Sequence, residues 1–198
     1  MLDLRRALAA AVGVDEEKLP FVGELLDVRS EEQEWQGAIE RVLHGFALSL
    51  LVDDKYYPAV SVHLNNVHLG ERLAYLRMTP QPGARRSLAP SSLVHKLAIA
   101  PGQCSSWLRE ELCQRFEYEC VESIGAFRNA QRAITRQGQV KHNTSRHEKD
   151  DRFRADDRTR WVLGFDNKRK LGLYKDRALE LARVQQESHS EALKAAVG

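Results

Sequence analysis

The side chains best suited to catalysis or ion binding lie in the segment "NTSRHEKDDRFRADDRTRW", which spans positions 143–161. This segment combines one histidine, two adjacent aspartate pairs and five arginines with very few apolar residues. With His142 just before it, His147, Asp150 and Asp151 offer the nitrogen and oxygen ligands that a metal-dependent nuclease requires. The surrounding arginines and lysines oppose the binding of a cation, and we therefore predict no metal ligands here.

The same aspartates could act as paired carboxylates in general acid–base catalysis. The pairs are Asp150–Asp151 and Asp156–Asp157. Adjacent side chains usually point apart, and Arg152 and Arg158 follow closely enough to neutralise them, so the sequence favours salt-bridged structural acids. The sequence also has no Walker A phosphate loop, no Gly-x-Ser-x-Gly elbow and no His-Glu-x-x-His motif. We predict no catalytic residue and no enzymatic activity in this chain.

Basic residues are dense between positions 128 and 170 and could form a surface that binds DNA phosphates. The candidate DNA-binding residues are Arg136, Lys141, Arg146, Lys149, Arg152, Arg154, Lys168, Arg169 and Lys170. Acidic residues alternate with them, so a solvated face whose charges pair internally is the alternative. A face rich in arginine and aspartate could also form reciprocal ion pairs across a two-fold interface.

The composition is that of an ordinary globular protein. The chain has 198 residues, of which 42% are hydrophobic, enough for one domain or two small ones. A net charge of +2 excludes a uniformly basic, histone-like protein. Three cysteines without paired spacing indicate reduced thiols. The sequence shows no signal peptide and no apolar run of about 20 residues, so we expect a cytoplasmic protein without membrane contacts.

The clearest helix signal is "SEEQEWQGAIERVLHG" at positions 30–45. Ser30 and Gln33 have the spacing of a capping box at the start of this helix. Gly45 stands where a C-terminal cap belongs. The mostly apolar run Phe46–Val52 follows at once and predicts a buried strand.

The remaining pattern alternates between helices and strands. A helix beginning near Asp53 and a strand over Arg72–Met78 complete a helix–strand–helix–strand series, which predicts an α/β (mixed α+β) fold. Prolines within residues 79–92 predict a seam between two small subdomains. Short helices and strands follow, with a turn near Gly138, before the apolar run Trp161–Phe165, which is predicted to be a strand.

The two ends of the chain predict helices with a different role. Residues 173–198 form a polar helix with a thin apolar stripe, which is typical of a coiled-coil fragment without its partner. Residues 1–18 could be the matching fragment. We therefore predict a body over residues 19–172 with a coiled-coil stump at each terminus.

Taken together, several segments resemble one family. "LPFVGELLDVRSEEQEWQGAIERVLHGFALSLLV" resembles the opening of the hinge domain of SMC proteins, in which a "GELL" strand precedes a helix and a buried strand. "RAITRQGQVKHNTSRHEKDDR", followed by "WVLGFDNKRK", is similar to the closing part of that hinge. Within the family, the segments are most similar to the JetC type of the Wadjet anti-plasmid systems, also called MksB or EptC, with MukB more distant. The resemblance covers residues 19–175.

The resemblance implies a hinge that forms a homodimer and joins two coiled-coil arms of a DNA-loop-extruding ATPase. ATP and magnesium would bind at head domains outside this chain, and no cofactor is implied within it. Plasmid defence, DNA and further subunits of the complex are the implied context. The candidate dimer-interface residues are Gly45, Phe46, Gly138, Gly164 and Phe165.

Two other interpretations remain open from the sequence. A free-standing DNA-binding module would use the basic surface over residues 128–170 and would not need to dimerise. A metal-dependent nuclease would be centred on His142, His147 and Asp150, although their spacing gives it little support.

Overall fold

The structure is a computed structural model that describes residues 2–80 and 87–165. Its α-helices are α1 (Leu2–Val12), α2 (Gln36–Ala47), α3 (Tyr57–Asn66), α4 (Ser105–Arg115) and α5 (Ile124–Asn129). Its strands are β1 (Leu26–Val28), β2 (Leu50–Asp53), β3 (Tyr75–Met78), β4 (Leu97–Ile99), β5 (Glu119–Cys120), β6 (Ala133–Ile134), β7 (Gln139–Lys141) and β8 (His147–Lys149). Short 3-10 turns cover Glu16–Lys18, Val22–Leu25, Ser30–Trp35, Leu93–Lys96 and Arg158–Arg160. The predicted mixture of helices and strands is confirmed.

The strands form small sheets. β1 pairs with β4 in antiparallel fashion, and β2 pairs with β3 in parallel. The remaining strands form a sheet in the order β5-β6-β7-β8, in which only β5 and β6 are parallel. A parallel pair needs a crossover connection, and α3 lies in the one between β2 and β3.

Helix α2 lies within the larger hydrophobic core. Trp35, just before the helix, and Ile39 and Leu43 within it are at most 1% exposed. Leu108 of α4 and Ile134 of β6 belong to the same buried cluster. Each such buried side chain contributes about 1.5–3 kcal/mol to folding. Because α2 packs with elements from both halves of the chain, it holds the later strands in place against the first half of the chain.

Helix α1 contributes to a second buried cluster. Its Leu8 packs in this cluster with Leu50 of β2 and Val60 of α3. The helix ends at Val12, just before Gly13, whose φ of 71° lies in the left-handed region that favours glycine. The sequence assigns residues 1–18 to a coiled-coil stump, and in the structure this segment buries apolar side chains against the body.

Three details of the predicted helix at positions 30–45 are wrong. Residues Ser30–Trp35 form a 3-10 turn with a kink at Glu32, so the α-helix begins only at Gln36. No capping box forms, since the Gln33 side chain donates to the carbonyl oxygen of Val28 at 3.0 Å. Gly45 lies inside α2 rather than beyond it, and the strand predicted from Phe46 therefore starts later, at Leu50.

The predicted strand Trp161–Phe165 is also wrong. The backbone N–H groups of Val162 and Leu163 donate to the carboxylate of Glu40 instead of to a neighbouring strand. The predicted stump over residues 173–198 lies outside the described residues. Within the two described ranges, no helix is long and apolar enough to cross a membrane.

Candidate functional site

The segment of residues 150–165, called the strap from here on, crosses helix α2. Its main anchor is Glu40, which is 3% exposed. Glu40 Oε2 accepts a hydrogen bond from the N–H of Val162 at 2.8 Å, and Oε1 accepts one from the N–H of Leu163 at 3.1 Å. Gln36, one turn earlier on α2, donates to Glu40 Oε1 at 2.9 Å. A carboxylate bonded in this way satisfies backbone groups that would otherwise be buried without acceptors.

The strap also approaches α2 through backbone contact. A Cβ atom at Gly37 would lie 2.3 Å from the carbonyl oxygen of Ala155, so only glycine fits there. The same carbonyl accepts a hydrogen bond from Trp161 Nε1 at 3.2 Å. Further along, the N–H of Gly164 donates to the carbonyl oxygen of Leu26 at 2.8 Å. The strap is therefore fixed at several points along the first half of the body.

Glu40 and Gly37 are functional positions that were not predicted from the sequence. One signal is present, because Gln36 and Glu40 are polar yet lie on the same helical face as Ile39 and Leu43. Polar residues inside an apolar stripe usually have buried hydrogen-bond partners.

A cleft of about 360 Å³ lies between α2, the β7–β8 hairpin and the strap. Residues that matter for its chemistry are Arg41, His44, Val140, Phe153, Arg160 and Trp161. Burial, and to a lesser degree the charge of Arg160, lower the pKa of His44 below its usual value. The cleft therefore has partly apolar walls and is lined by both arginines and carboxylates, with the half-buried His44 ring beside them.

Of the six predicted DNA-binding residues within the described part of the chain, three are paired with acids of their own segment. Arg152 binds Asp150 through two hydrogen bonds, of 3.0 and 2.7 Å, and holds the pKa of that carboxyl well below its usual range. Arg154 pairs with Asp156 at 2.9 Å, and Lys149 pairs with Asp151. The internally paired face proposed as the alternative to DNA binding thus describes this part of the chain.

The other predicted DNA-binding residues have different environments. Lys141 is wrong as a phosphate contact, because it is 6% exposed and its Nζ donates to the carbonyl oxygen of Arg128 at 2.7 Å. Arg136 pairs with Glu34 at 2.9 Å, and Arg146 is exposed beside Glu148. Lys168, Arg169 and Lys170 lie outside the described residues. DNA contact stays a prediction.

Replacing Arg152 with alanine should leave the melting temperature almost unchanged. Its pair with Asp150 is exposed, and exposed ion pairs between side chains contribute little to stability. Differential scanning fluorimetry of Arg152→Ala, with Arg158→Ala as a matched change of charge, checks this. A large loss of stability in Arg152→Ala alone would show that the strap depends on this pair.

The nuclease interpretation finds no support in the described geometry. Both ring nitrogens of His142 are engaged, Nδ1 with the Tyr118 hydroxyl at 2.8 Å and Nε2 with Glu148 at 3.1 Å. The ring of His147 packs near Phe127, with centroids 6.1 Å apart. Within residues 2–80 and 87–165, no group of three or more histidine, cysteine or acidic residues could hold a metal ion.

The predicted dimer-interface residues differ in their exposure to solvent. Gly45 is exposed, with open space around it, and Phe165 is 46% exposed. Gly138 turns the chain between β6 and β7 with a φ of 82° and is buried beneath Arg41.

Gly164 also has a positive φ, of 145°, and sits in the anchored part of the strap. Phe46 is wrong as a surface contact, because it is buried in its own core with its ring 4.9 Å from that of Phe116.

Strand β3 presents one open edge. The N–H of Leu50 donates to the carbonyl oxygen of Ala74, so every second residue from Ala74 onward directs its backbone groups toward β2. Tyr75 and Arg77 lie between these residues and direct their N–H and C=O groups to the opposite side. In the described part of the chain, no strand pairs with that side of β3.

Strand β8 presents a second open edge. The N–H of His142 donates to the carbonyl oxygen of Arg146, so Arg146 and Glu148 face β7. His147 and Lys149 therefore direct their backbone groups outward. All three residues of β8 are exposed, and among the described strands only β7 pairs with it. Exposed strand edges are templates for pairing with another chain.

Comparison with solved structures finds the same fold in hinge domains of SMC proteins. The chain is similar to the Pyrococcus furiosus SMC hinge domain, with a TM-score of 0.54 and 18% identity over 78% of this chain and 81% of that one. It is also similar to an asymmetric dimer of the Geobacillus stearothermophilus SMC hinge domain, with a TM-score of 0.51 and 13% identity, covering 92% and 82% of the two chains.

A third solved structure, the folded elbow of cohesin, gives a TM-score of 0.59 at 16% identity. The match covers 94% of this chain and 27% of the cohesin chain, so this chain spans about a quarter of that protein. No family model and no curated protein matches the sequence. The fold is thus that of an SMC hinge domain.

Proposed function

We propose that this chain is the dimerisation hinge of an SMC-type protein and joins two coiled-coil arms. The observation that carries this proposal is the extent of the fold match. It covers 78% of this chain and 81% of the Pyrococcus furiosus hinge domain, so the two share most of their length. The proposal assigns the chain a mechanical role and no catalytic step.

The finer part of the proposal is a JetC-type hinge in a Wadjet anti-plasmid complex. Its support is the similarity of the two sequence segments that open and close the body, over residues 19–175. In such a protein, head domains outside this chain would bind ATP and magnesium and drive DNA loop extrusion in the cytoplasm. The hinge would transmit that motion between two arms, with DNA and the other subunits as partners.

The two open strand edges supply a physical means of dimerisation. Each offers outward backbone groups, at Tyr75 and Arg77 on β3 and at His147 and Lys149 on β8. A second copy of the chain could satisfy these groups by adding a strand to either sheet. A two-fold axis would repeat each such contact, so a closed dimer would form without an open polymer.

The substitution Arg77→Pro should weaken the dimer without unfolding the chain. The substitution removes an outward N–H group and places a ring on the open edge, while the β2–β3 hydrogen bonds stay intact. Loss of a backbone hydrogen bond in each symmetric contact, together with the steric block, should weaken dimerisation about 10- to 100-fold. Light scattering over a concentration series measures the dimerisation. For the wild-type chain we expect a mass near twice 22.5 kDa.

The matched control is Arg77→Ala, which loses the ion pair with Asp54 but keeps the backbone N–H. Lys149→Pro and Lys149→Ala form the same pair of variants on β8. If both proline variants stay folded and fully dimeric, the strand-edge mechanism is wrong. If the wild-type chain is monomeric at every concentration, the hinge proposal itself loses its support, and the DNA-binding module over residues 128–170 becomes the better interpretation.

A further inference from the structure

The acids that line the cleft are already engaged by other groups. Glu40 accepts the backbone N–H groups of the strap, and Asp150 is bound by Arg152. Glu148 contacts His142, and Asp157 accepts hydrogen bonds from the N–H and the hydroxyl of Thr159, at 3.1 and 2.6 Å. All four carboxylates of the cleft therefore have hydrogen-bond partners that hold them in place.

Two of the four arginines that line the cleft, Arg160 and Arg41, lack a close ion pair among the described residues. Arg160 is exposed, and among the residues the structure describes no carboxylate lies within ion-pairing distance of it. Arg41 donates to the carbonyl oxygen of Phe153, and the nearest acid, Asp151, is 3.7 Å from its Nη1 and is shared with Lys149. Among the groups that line the cleft, Arg160 is therefore the one best placed to bind an anion.

The walls of the cleft include a flat, apolar surface, the ring of Phe153. The guanidinium of Arg160 lies 3.3 Å from the centroid of the Phe153 ring, and this ring is nevertheless 46% exposed. Trp161 and Val140 line the same space. Stacked arginine and aromatic side chains are a common platform for nucleobases, which are flat and carry a phosphate nearby.

We propose that this cleft binds the phosphate of a nucleotide at Arg160 and Arg41 while its base lies against Phe153. Arginine suits this role because its planar fork matches the geometry of phosphate oxygens. His44, which is half-buried beside Arg160, can contribute a further hydrogen bond from its ring. The phosphate can come from a free nucleotide or from a nucleic-acid strand. This site does not depend on dimerisation. Its proposed phosphate contacts, Arg160 and Arg41, are not among the nine residues predicted from the sequence to bind DNA, although Arg152 and Arg154 of that set also line the cleft.

The experiment compares Arg160→Gln and Phe153→Leu with a matched control, Arg158→Gln. Arg158 is an exposed arginine two residues away that does not line the cleft, so its loss changes the net charge equally. The probes are inorganic phosphate, thymidine 5′-monophosphate and an oligothymidylate of about ten nucleotides. Binding is measured by calorimetry and by the NMR signals of the His44 ring at one fixed salt concentration.

We expect thymidine monophosphate to bind more tightly than inorganic phosphate and to perturb the His44 signals. Arg160→Gln should weaken its binding about tenfold or more, and Arg158→Gln should not. Equal affinity for mononucleotide and oligothymidylate supports the site with a free nucleotide as ligand. Much tighter binding of the oligothymidylate, with the same dependence on Arg160, supports it with a nucleic-acid strand as ligand.

Three results would overturn the proposal. The first is the absence of binding by every probe at millimolar concentration. The second is an equal loss in Arg160→Gln and Arg158→Gln, which would indicate a general effect of charge. The third is unchanged nucleotide affinity in Phe153→Leu, which would show that the base does not lie against Phe153. Melting temperatures of the variants show that each comparison is made between folded proteins.

Discussion

Replacing Glu40 with alanine is expected to lower the free energy of unfolding by about 3–5 kcal/mol. The buried carboxylate accepts hydrogen bonds from Val162, Leu163 and Gln36. Without it, backbone N–H groups of the strap remain buried without an acceptor, and each such group costs about 1–3 kcal/mol. Urea denaturation followed by circular dichroism measures the loss.

The isosteric variant Glu40→Gln separates hydrogen bonding from packing. It keeps the shape and one acceptor oxygen, but its NH₂ group would face a backbone donor. We expect a loss between those of the wild type and Glu40→Ala, and faster amide exchange at Val162 and Leu163. A loss below about 1 kcal/mol in Glu40→Ala would show that the strap is held mainly by its other contacts.

The sequence predicts the buried face of α2 because that signal is local, although it misplaces both ends of the helix. Trp35, Ile39 and Leu43 have helical spacing, and all three are buried in the structure. Glu40 escapes prediction because its partners lie more than 120 positions later in the chain. No local pattern indicates that backbone N–H groups near Trp161 will meet a carboxylate on α2. The same long-range contact explains why the apolar run after Trp161 is not a strand.

The environments of the charged residues are also difficult to predict from the sequence. The sequence indicates that the acids near Arg152 are salt-bridged, and the structure pairs Arg152 with Asp150 two residues away. The sequence does not indicate which arginine lacks a close acidic partner, because the fold decides that Arg160 stacks on Phe153 and lies away from the carboxylates. Lys141 is misjudged for a similar reason, since the folding of β7 against α5 buries a side chain that looks exposed in the sequence.

Replacing Gly37 with alanine is expected to destabilise the protein by about 1–3 kcal/mol, although alanine is the better helix former. The new Cβ atom would lie 2.3 Å from the carbonyl oxygen of Ala155 and 2.8 Å from its carbonyl carbon. Both are backbone atoms, so the strap itself must move away from α2. Chemical denaturation measures the change, and amide exchange over residues 150–165 should increase.

Gly45→Ala is the matched control, since it makes the same change in the same helix where nothing lies within 4 Å. It should stabilise the protein by about 0.5–1 kcal/mol, because alanine restricts the unfolded chain and favours the helix. Equal effects of the two substitutions would contradict the close contact between strap and helix. The control also tests the predicted interface: if Gly45 lies between protomers, Gly45→Ala should lower the dimer mass while the stability of the monomer increases.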